Sequence, residues 1–301
     1  MPLRKKEDLK PVIKGVVKFE EPMSRHTSFR IGGPAEVFVY PSDTDDLLAV
    51  LRYAAEHKMG VFVIGGGSKL LVGDKGLRGF VVSLNAPAFH GLSFDGEYAS
   101  AGCGMKVSEF LKKAADEGLG GLEFLAGIPG TLGGAITMNA GWPTRSIGDR
   151  VEEVTLIKGL EKSTLGKSEL KFKYRGSDFG DAVLICAKFK LDRKPKAGIE
   201  AEINRNFEKK RQTQDMSRPS VGSIFLNPSG TAPAWQVIEK SGLRGAKSGD
   251  AVLSEKHANF IVNNGKASAS DVRALIDEIQ KKVFKDQQIM LKLEVKIIGD
   301  F

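Results

Sequence analysis

Two glycine-rich segments contain the residue types best suited to hold an anionic ligand. The first, Gly65-Gly66-Gly67-Ser68-Lys69, follows an apolar run at Val61–Ile64 that is typical of a β-strand. Consecutive glycines expose successive backbone N–H groups, and such a nest binds a pyrophosphate without requiring a metal ion. A tight turn that uses glycine only for its backbone freedom explains this segment equally well. The first segment alone therefore leaves both interpretations open.

Two common nucleotide-binding loops do not fit this segment. A Walker A loop needs G-x-x-x-x-G-K-[ST], whereas here Ser68 precedes Lys69 and the apolar Leu70 follows. The dinucleotide fingerprint G-x-G-x-x-G also fails, because position 70 is leucine and no long helix is predicted directly after the loop. Both a P-loop NTPase and a Rossmann dehydrogenase are therefore disfavoured.

The second segment, Gly127–Ala135, reads GIPGTLGGA and contains more glycines than an ordinary helix start. It can bring backbone N–H groups close to a flat or anionic ligand, and its Gly133-Gly134-Ala135 end can open a helix. Two such segments suggest one long ligand that both of them contact. A dinucleotide has this shape.

The elements that position these segments follow from apolar periodicity. Val37–Tyr40 and Val61–Ile64 are predicted strands of a βαβ unit, with a helix between them that Ser42 can cap. Short strands and helices continue to a predicted linker at Arg193–Gly198, and a last strand is predicted at Leu291–Ile298. Two amphipathic helices are predicted from apolar spacing, one with Val107, Phe110, Leu111 and Ala114 on its buried face and a longer one with Val272, Leu275, Ile276, Ile279 and Val283. The chain is thus divided into three α+β parts, 1–74, 75–195 and 196–301.

The composition favours a folded protein with anionic partners. The 301 residues are 41% hydrophobic and 27% charged, with a formal net charge of +8. The basic residues are scattered, and the small clusters Arg4-Lys5-Lys6 and Lys209-Lys210-Arg211 read as solvated faces. A nucleic-acid-binding surface would need one dense basic stripe, so nucleic acid is not a predicted partner.

The two cysteines, Cys103 and Cys186, lie far apart and form no CxxC, so no metal site is predicted. Both lie in apolar, strand-like surroundings, which fits a reducing, cytoplasmic location. The N-terminal segment has no apolar core typical of a secretory signal. No apolar run approaches the roughly 20 residues that span a bilayer, so no membrane partner is predicted.

Seven segments of the sequence form a recognisable series when they are taken in order. They are HTSFRIGGPAEVFVYP, VIGGGSKLLV, GIPGTLGGAITMNAG, FKYRGS, GSIFLNP, SEKHANFIVN and LEVKIIG. Together they resemble the UDP-N-acetylenolpyruvoylglucosamine reductase (MurB) family of bacterial peptidoglycan synthesis. The resemblance runs from about Ser24 to Gly299 and fits the shorter subtype of the family, because little sequence separates the fourth and fifth segments.

The resemblance implies an α+β chain with the FAD-binding fold of the vanillyl-alcohol-oxidase (PCMH) type, in two α+β subdomains, plus a smaller C-terminal α+β substrate domain. It implies non-covalent FAD, and we interpret His26 and Cys103 as structural residues and not as flavin attachment points. The FAD pyrophosphate would contact Gly65, Gly66, Gly67, Ser68, Lys69 and Leu70. The flavin would be lined by Ile128, Pro129, Gly130, Thr131, Gly133, Gly134, Ala135, Met138, Asn139 and Ala140.

The implied reaction begins with hydride transfer from NADPH to FAD. UDP-N-acetylglucosamine enolpyruvate then takes the place of the nicotinamide and receives hydride on its enol-ether carbon. By resemblance, Arg175 and Glu294 would stabilise the resulting enolate, and Ser223 would protonate the carbon that bears the carboxylate. The residues alone support simpler interpretations, in which Glu294 is a paired strand carboxylate and Ser223 a turn serine after Gly222.

Substrate contacts are implied for Tyr174, Asn227 and Arg211, and Lys209, Lys210 and Arg218 are further candidates for the diphosphate. The implied protein is a monomer that acts on a small molecule. One departure from the family is Trp142-Pro143-Thr144, which stands where Ala-Tyr-Gly is usual. The alternatives are another FAD-dependent oxidoreductase of the same fold and a colourless nucleotide- or nucleic-acid-binding module.

Overall fold

The computed structural model describes Leu9 and residues 11–142 and 144–301. The basic cluster Arg4-Lys5-Lys6 and Pro143, which is part of the family departure, therefore lie outside the described residues. Within them the α-helices are α1 (Thr44–Glu56), α2 (Val107–Asp116), α3 (Leu132–Thr137), α4 (Lys196–Thr213), α5 (Ala234–Lys240) and α6 (Ala269–Gln287).

The β-strands are mostly short, and several of them in succession separate most of the α-helices. They are β1 (Val16–Pro22), β2 (Pro34–Tyr40), β3 (Val61–Ile64), β4 (Leu70–Val72), β5 (Leu77–Ser83), β6 (Leu92–Asp95), β7 (Tyr98–Gly102), β8 (Leu119–Gly120), β9 (Gly141–Trp142), β10 (Arg145–Ser146), β11 (Val151–Lys158), β12 (Glu161–Gly166), β13 (Phe172–Lys173), β14 (Gly176–Ser177), β15 (Val183–Lys190), β16 (Asp192–Arg193), β17 (Ser220–Ser223), β18 (Lys247–Ser248), β19 (Ala251–Leu253), β20 (Phe260–Asn263) and β21 (Lys296–Ile298).

The described residues form two compact units. The first unit comprises those of Met1–Phe19, Val37–Gly66 and Gly79–Lys209, and the second comprises Glu20–Glu36, Gly67–Arg78 and Lys210–Phe301. This grouping differs from the three parts 1–74, 75–195 and 196–301, which stay a prediction.

A five-stranded antiparallel sheet in the order β12-β11-β15-β7-β6 is the largest sheet of the first unit. Helix α2 buries Val107, Phe110 and Leu111, as its apolar periodicity predicts. The rings of Phe110 and Phe189 lie 5.1 Å apart, so α2 packs on strand β15. The predicted helical face is therefore the one that contacts the sheet.

Helix α1 connects β2 to β3, but these two strands are not neighbours. The sheet order is β1-β2-β5-β3, with β3 parallel to β5, so β5 lies between the two strands of the predicted βαβ unit. The prediction that Ser42 caps α1 was wrong. The N-cap is Asp43, whose extended backbone lets its carboxylate accept from the backbone N–H of Asp46 at 2.8 Å.

The second unit is organised around helix α6 and the antiparallel sheet β17-β20-β19-β18. Ser268 and Asp271 cap the start of α6 reciprocally. Asp74 adds acceptors for the backbone N–H groups of Ala269 and Ser270, at 2.7 and 2.9 Å. The buried face of α6 consists of Val272, Leu275, Ile276, Ile279 and Val283, as predicted.

Two other expectations differ from the structure. The predicted linker at Arg193–Gly198 is largely ordered structure, because Asp192–Arg193 pairs with β8 and α4 already begins at Lys196. Of the predicted strand Leu291–Ile298, only Lys296–Ile298 forms β21, which pairs in parallel with β4. No helix in the described part of the chain is both long and apolar enough to cross a membrane.

Candidate active site

Gly65 and Gly66 of the first glycine-rich segment lie against the second segment inside the first unit. A methyl group on Gly66 would lie 2.6 Å from Cα of Gly130, and one on Gly65 would collide with Oγ1 of Thr131. Because the obstacle at Gly66 is backbone, only glycine permits this close approach. Within the described residues, the backbone N–H groups of Gly65 and Gly66 have no protein acceptor. They are therefore suited to hydrogen-bond an anionic ligand.

The start of α3 uses its own N–H groups inside the protein. Leu132 donates to the carbonyl of Met105 and Gly133 to that of Cys103, both at 2.9 Å. Gly134 donates to Oγ1 of the N-cap Thr131 at 3.3 Å. These three N–H groups are therefore used inside the protein, and the contact of the segment with a flavin stays a prediction.

Cys103 supports this helix start with its backbone, and its side chain is buried. Burial raises the pKa of the Cys103 thiol, because the thiolate would lose its hydration. A thiol held in this way is a poor nucleophile. This agrees with the interpretation of Cys103 as a structural residue.

The segment after α3 positions the hairpin that contains Arg175. Asn139, with a left-handed backbone φ of 41°, donates from Nδ2 to the carbonyl of Lys173 at 3.0 Å. The hydroxyl of Ser177 donates to the carbonyl of Thr137 at 2.9 Å. Strands β13 and β14 flank a two-residue turn, Tyr174-Arg175. The two hydrogen bonds connect the residues before and after this turn to the segment around Asn139.

Arg175 occupies a turn position that constrains its side chain. Its backbone φ is 56°, and its guanidinium carbon lies 5.4 Å from the centroid of the half-exposed Tyr174 ring. The cation–π contact orients the planar guanidinium beside the tyrosine. The first unit therefore brings predicted residues of the flavin, substrate and catalytic sets, Asn139, Tyr174 and Arg175, into one region.

Trp142 is the first of the three residues that depart from the family pattern, and its side chain makes contacts within the first unit. Its indole Nε1 donates to the carbonyl of Phe124 at 3.1 Å, and the ammonium of Lys209 lies 4.7 Å from the centre of its ring. Lys209, a candidate for the diphosphate, is therefore stacked on this tryptophan.

In the second unit, the segment around His26 supports Gly67. The backbone φ of Gly67 is 60°, and a methyl group there would meet the carbonyl of His26 and lie 2.8 Å from Cα of Thr27. Ser28 donates its N–H to the carbonyl of Gly67 at 3.2 Å. His26 pairs with Glu21 at 2.9 Å between Nε2 and Oε1. These contacts agree with a structural role for His26.

Lys69 connects two of the predicted catalytic residues. Its ammonium lies 2.8 Å from the backbone carbonyl of Ser223 and 2.8 Å from Oε1 of Glu294. The side chain of Glu294 is 9% exposed, so this ion pair is largely shielded from water. Sequence reasoning placed Lys69 only with the cofactor, and no local pattern signals its pairing with a glutamate so distant in the sequence.

Backbone hydrogen bonds connect the segments that contain Ser223 and Glu294. The N–H of Glu294 donates to the carbonyl of Ile224 at 2.8 Å, and the N–H of Ile224 donates to the carbonyl of Asn259 at 2.9 Å. Ser223, at the end of β17, pairs with Phe260 of β20. The second unit thus brings Ser223 and Glu294 together, whereas Arg175 belongs to the first unit.

Asn259 is a supporting residue to which sequence reasoning assigned no role. Its side chain is 3% exposed and makes two hydrogen bonds to Phe225, accepting from its N–H at 2.9 Å and donating to its carbonyl at 2.8 Å. Because this buried amide bonds both the N–H and the carbonyl of Phe225, it holds the backbone two residues after Ser223 in place. The segment SEKHANFIVN contained the signal, because it was one of the seven resembling segments.

The predicted substrate residues of the second unit are near its surface. Asn227 is exposed, and its Oδ1 accepts from the N–H of Ala234 at the start of α5, at 3.0 Å. Arg211 is also exposed, and its carbonyl accepts from Lys256. Their roles toward substrate stay predictions.

The guanidinium of Arg218 is paired with Asp215 at 2.7 Å. Burial would raise the pKa of Asp215, but hydrogen bonds from Arg218, Ser217 and Ser254 outweigh burial and lower this pKa to about 2. The charge of Arg218 is therefore partly neutralised inside the protein.

Comparison with known proteins shows which family this chain belongs to. The C-terminal-domain model of UDP-N-acetylenolpyruvoylglucosamine reductase matches residues 213–298, and an FAD binding domain model matches residues 35–162. A reductase of that name from Geobacter metallireducens is 42% identical over 293 residues, which cover 97% of each chain. Another, from Syntrophus aciditrophicus, is 39% identical over 300 residues, covering 98% of this chain and 96% of the relative.

A solved structure agrees with these sequences. The crystal structure of UDP-N-acetylenolpyruvylglucosamine reductase from Thermus caldophilus superposes with a TM-score of 0.80 at 30% identity, covering 95% of this chain and 99% of that one. The predicted α+β FAD-binding fold is thereby confirmed. The chain belongs to the UDP-N-acetylenolpyruvoylglucosamine reductase family, whose members are FAD-dependent oxidoreductases.

Proposed function

We propose that this chain reduces UDP-N-acetylglucosamine enolpyruvate to UDP-N-acetylmuramate, with bound FAD as cofactor and NADPH as hydride donor, in peptidoglycan precursor synthesis. The observation that carries this proposal is the cluster of Ser223, Glu294 and Lys69 in the second unit. Ser223 and Glu294 lie in the region that matches the reductase C-terminal domain, and the ammonium of Lys69 joins these two acid–base candidates. An unrelated FAD oxidoreductase of the same fold has no need of this cluster.

The residues of the first glycine-rich segment fit a cofactor that contains a pyrophosphate. Gly65 and Gly66 offer successive N–H groups for which the described part of the chain provides no acceptor, and neither residue has a side chain that would keep an anion at a distance. We propose that these two residues, with Gly67, Ser68 and the backbone of Lys69, hold the pyrophosphate of FAD. When bound, FAD supplies the hydride-transfer chemistry between NADPH and the enol ether.

The proposed catalytic residues act on charge that develops in the substrate. After hydride reaches the remote enol-ether carbon, the carboxylate and its neighbouring carbon gain enolate character. The planar guanidinium of Arg175 suits a carboxylate, since it donates two parallel hydrogen bonds. Because its interaction strengthens as negative charge grows, it lowers the barrier and does more than bind substrate.

Ser223 and Glu294 complete the proposed reaction. The hydroxyl of Ser223 gives its proton to the carbon that bears the carboxylate. Glu294 takes part in the hydrogen bonding of the enolate region, and the ammonium of Lys69, 2.8 Å from Oε1, holds its carboxylate in place. Tyr174, Asn227 and Arg211 contact the substrate in this proposal.

Anaerobic half-reactions test the function. The purified protein is titrated with one equivalent of NADPH, which should bleach the flavin absorbance, and UDP-N-acetylglucosamine enolpyruvate is then added. We expect the oxidised spectrum to return with one equivalent of substrate consumed. A flavin that stays reduced with this substrate, but is reoxidised by another acceptor, would favour a different oxidoreductase of the same fold.

We further propose that the chain acts in the cytoplasm as a monomer, on small molecules and without a nucleic-acid or membrane partner. Both cysteines are free thiols, which suits a reducing compartment. Light scattering coupled to size-exclusion chromatography measures the mass in solution, and a mass twice that of the 32.5 kDa chain would contradict the monomer.

A further inference from the structure

We infer that Lys69 is a positioning residue of the reduction, which fixes the Glu294 carboxylate and the backbone of Ser223 with a single ammonium group. The inference rests on the proposed function, because it assigns to Lys69 a part in the step that Ser223 and Glu294 perform. It differs from the sequence-based expectation that Lys69 serves the cofactor.

The first support is the geometry of the ammonium. Nζ lies 2.8 Å from the carbonyl oxygen of Ser223 and 2.8 Å from Oε1 of Glu294, so two of its three protons point to these acceptors. The Lys69 side chain is 24% exposed and the Glu294 side chain 9% exposed. A charge-assisted hydrogen bond in such a shielded place is stronger than one at the surface.

The second support is that the main chain fixes the same residues independently. Strand β4 pairs in parallel with β21, and the N–H of Lys296 donates to the carbonyl of Lys69 at 2.9 Å. Glu294, two residues before Lys296, is bound in turn to the carbonyl of Ile224 at 2.8 Å. The lysine, the glutamate and the segment that begins at Ser223 therefore form one closed set of contacts within the second unit.

Gly222 shapes the backbone immediately before Ser223. Its φ of 71° lies in the left-handed region that favours glycine, and a methyl group added there would be in ordinary van der Waals contact with Nζ of Lys69, at 3.6 Å. The backbone turn that precedes the Ser223 carbonyl, and not a lack of space, therefore favours glycine at this position. The Gly-Ser pair in GSIFLNP is in this sense part of the lysine site.

The chemical consequence falls on the second half of the reaction. Without the ammonium, the largely buried carboxylate of Glu294 loses a charge-assisted hydrogen bond at Oε1, so its position is less well defined. The Ser223 carbonyl loses a donor at the same time, so the direction of the serine side chain is less well defined. Positive charge beside Ser223 also favours the serine oxygen that remains after its proton is given to carbon.

The test compares Lys69→Met, which removes the charge but keeps most of the stem, with Lys69→Arg, which keeps the charge. The matched control is Lys281→Met, which makes the same change at an exposed lysine of α6 in the same unit. In anaerobic stopped-flow measurements we expect Lys69→Met to retain flavin reduction by NADPH within about twofold and to slow reoxidation by substrate on the order of 100-fold. Lys69→Arg should recover at least about tenfold of that loss, and the control should match wild type.

A double variant shows whether Lys69 acts through Glu294. Lys69→Met/Glu294→Gln removes both charges of the ion pair together, so it also keeps the test valid if the single variant folds poorly. We expect its reoxidation rate to lie near that of Glu294→Gln alone, because residues acting as a unit show non-additive losses. Fully multiplicative losses would show that the two residues act separately, which would overturn the inference.

Other outcomes separate this inference from the proposed function. If wild type is reoxidised by substrate and Lys69→Met is reoxidised equally fast, the inference fails and the function stands. If Lys69→Met loses FAD, or slows both half-reactions alike, Lys69 serves the cofactor and the inference fails. If substrate does not reoxidise wild type, both are overturned.

Discussion

In the first unit, Gly65 and Gly66 approach Thr131 and Gly130 so closely that neither glycine has room for a methyl group, and their backbone N–H groups have no acceptor among the described residues. In the second unit, the proposed catalytic cluster meets through an ammonium, a carboxylate and a carbonyl. The first arrangement depends on the absence of side chains and the second on their presence. Added atoms should therefore damage the first, and removed groups should damage the second.

The largest expected effect comes from removing a group in the second unit. Ser223→Ala deletes the proposed proton donor, and we expect reoxidation of the reduced flavin by substrate to slow by roughly 10²- to 10⁴-fold. Flavin reduction by NADPH should change by less than about twofold, because that half-reaction needs no proton on carbon. Anaerobic stopped-flow absorbance measures both rates. Equal losses in the two half-reactions would remove Ser223 from its acid role.

Adding one methyl group in the first unit should have the next largest effect. Gly66→Ala places Cβ 2.6 Å from Cα of Gly130, so the two segments must separate at an overpacking cost of about 1–3 kcal/mol. If these segments hold the FAD pyrophosphate, FAD affinity should fall roughly 5- to 100-fold. Fluorescence titration of the apoprotein with FAD measures this.

The control for the added methyl is Gly198→Ala in α4, where a new Cβ meets no atom within 4 Å. Its FAD affinity should equal that of wild type. If Gly66→Ala also binds FAD like wild type, the first glycine segment does not hold the cofactor and the contrast between the units disappears.

Removing a buried amide from the second unit should affect both stability and one half-reaction. Asn259→Ala leaves the N–H and carbonyl of Phe225 without their partners in a buried position, at a cost of about 2–4 kcal/mol. Urea unfolding measures the loss, and reoxidation by substrate should slow more than reduction by NADPH. Asn264→Ala, at an exposed asparagine of the same unit, should change neither. Equal stability of the two variants would contradict the role of Asn259.

Some elements of the fold could be predicted from the sequence because they depend on local patterns of residue types. The buried faces of α2 and α6 follow from the spacing of apolar residues, and the structure confirms them. The cap of α1 was misplaced by one residue, since Ser42 and Asp43 are both competent caps and backbone conformation decides between them. Strand Leu291–Ile298 was predicted too long, because its first residues lie outside the β21–β4 ladder.

The contacts that define the candidate site leave no local pattern. Gly66 meets Gly130, and Lys69 meets Glu294, across large separations in sequence, and each contact depends on how sheets and loops bring distant segments together. The resemblance identified Ser223 and Glu294 as a functional set, but it did not show that a lysine of the glycine segment joins them. Residue types predict which groups are available, whereas tertiary packing determines their partners.

The polar network around Asp215 in the second unit should have a smaller effect, which is a pH-dependent contribution to the free energy of unfolding. The pKa of Asp215 is lowered to about 2 in the folded chain by hydrogen bonds from Arg218, Ser217 and Ser254, against the opposing effect of burial. A depressed carboxyl pKa contributes stability that is present above the unfolded value of about 3.9 and is lost as pH falls toward 2. In urea unfolding, the stability gap between wild type and Asp215→Asn should be widest above pH 4 and should narrow toward pH 2. A gap that is constant with pH would contradict this.

The smallest effect should come from removing a side-chain contact in the first unit. Trp142→Phe deletes the indole N–H that donates to the Phe124 carbonyl and weakens the contact with Lys209, and we expect it to lower the free energy of unfolding by about 1 kcal/mol. FAD affinity should remain within about twofold of wild type, because the proposed cofactor contacts of this unit are made by backbone at Gly65 and Gly66. Thermal unfolding and FAD titration measure the two effects. A loss of FAD affinity as large as that of Gly66→Ala would show that a side chain contributes as much to cofactor binding in this unit as the close approach of the glycine segments.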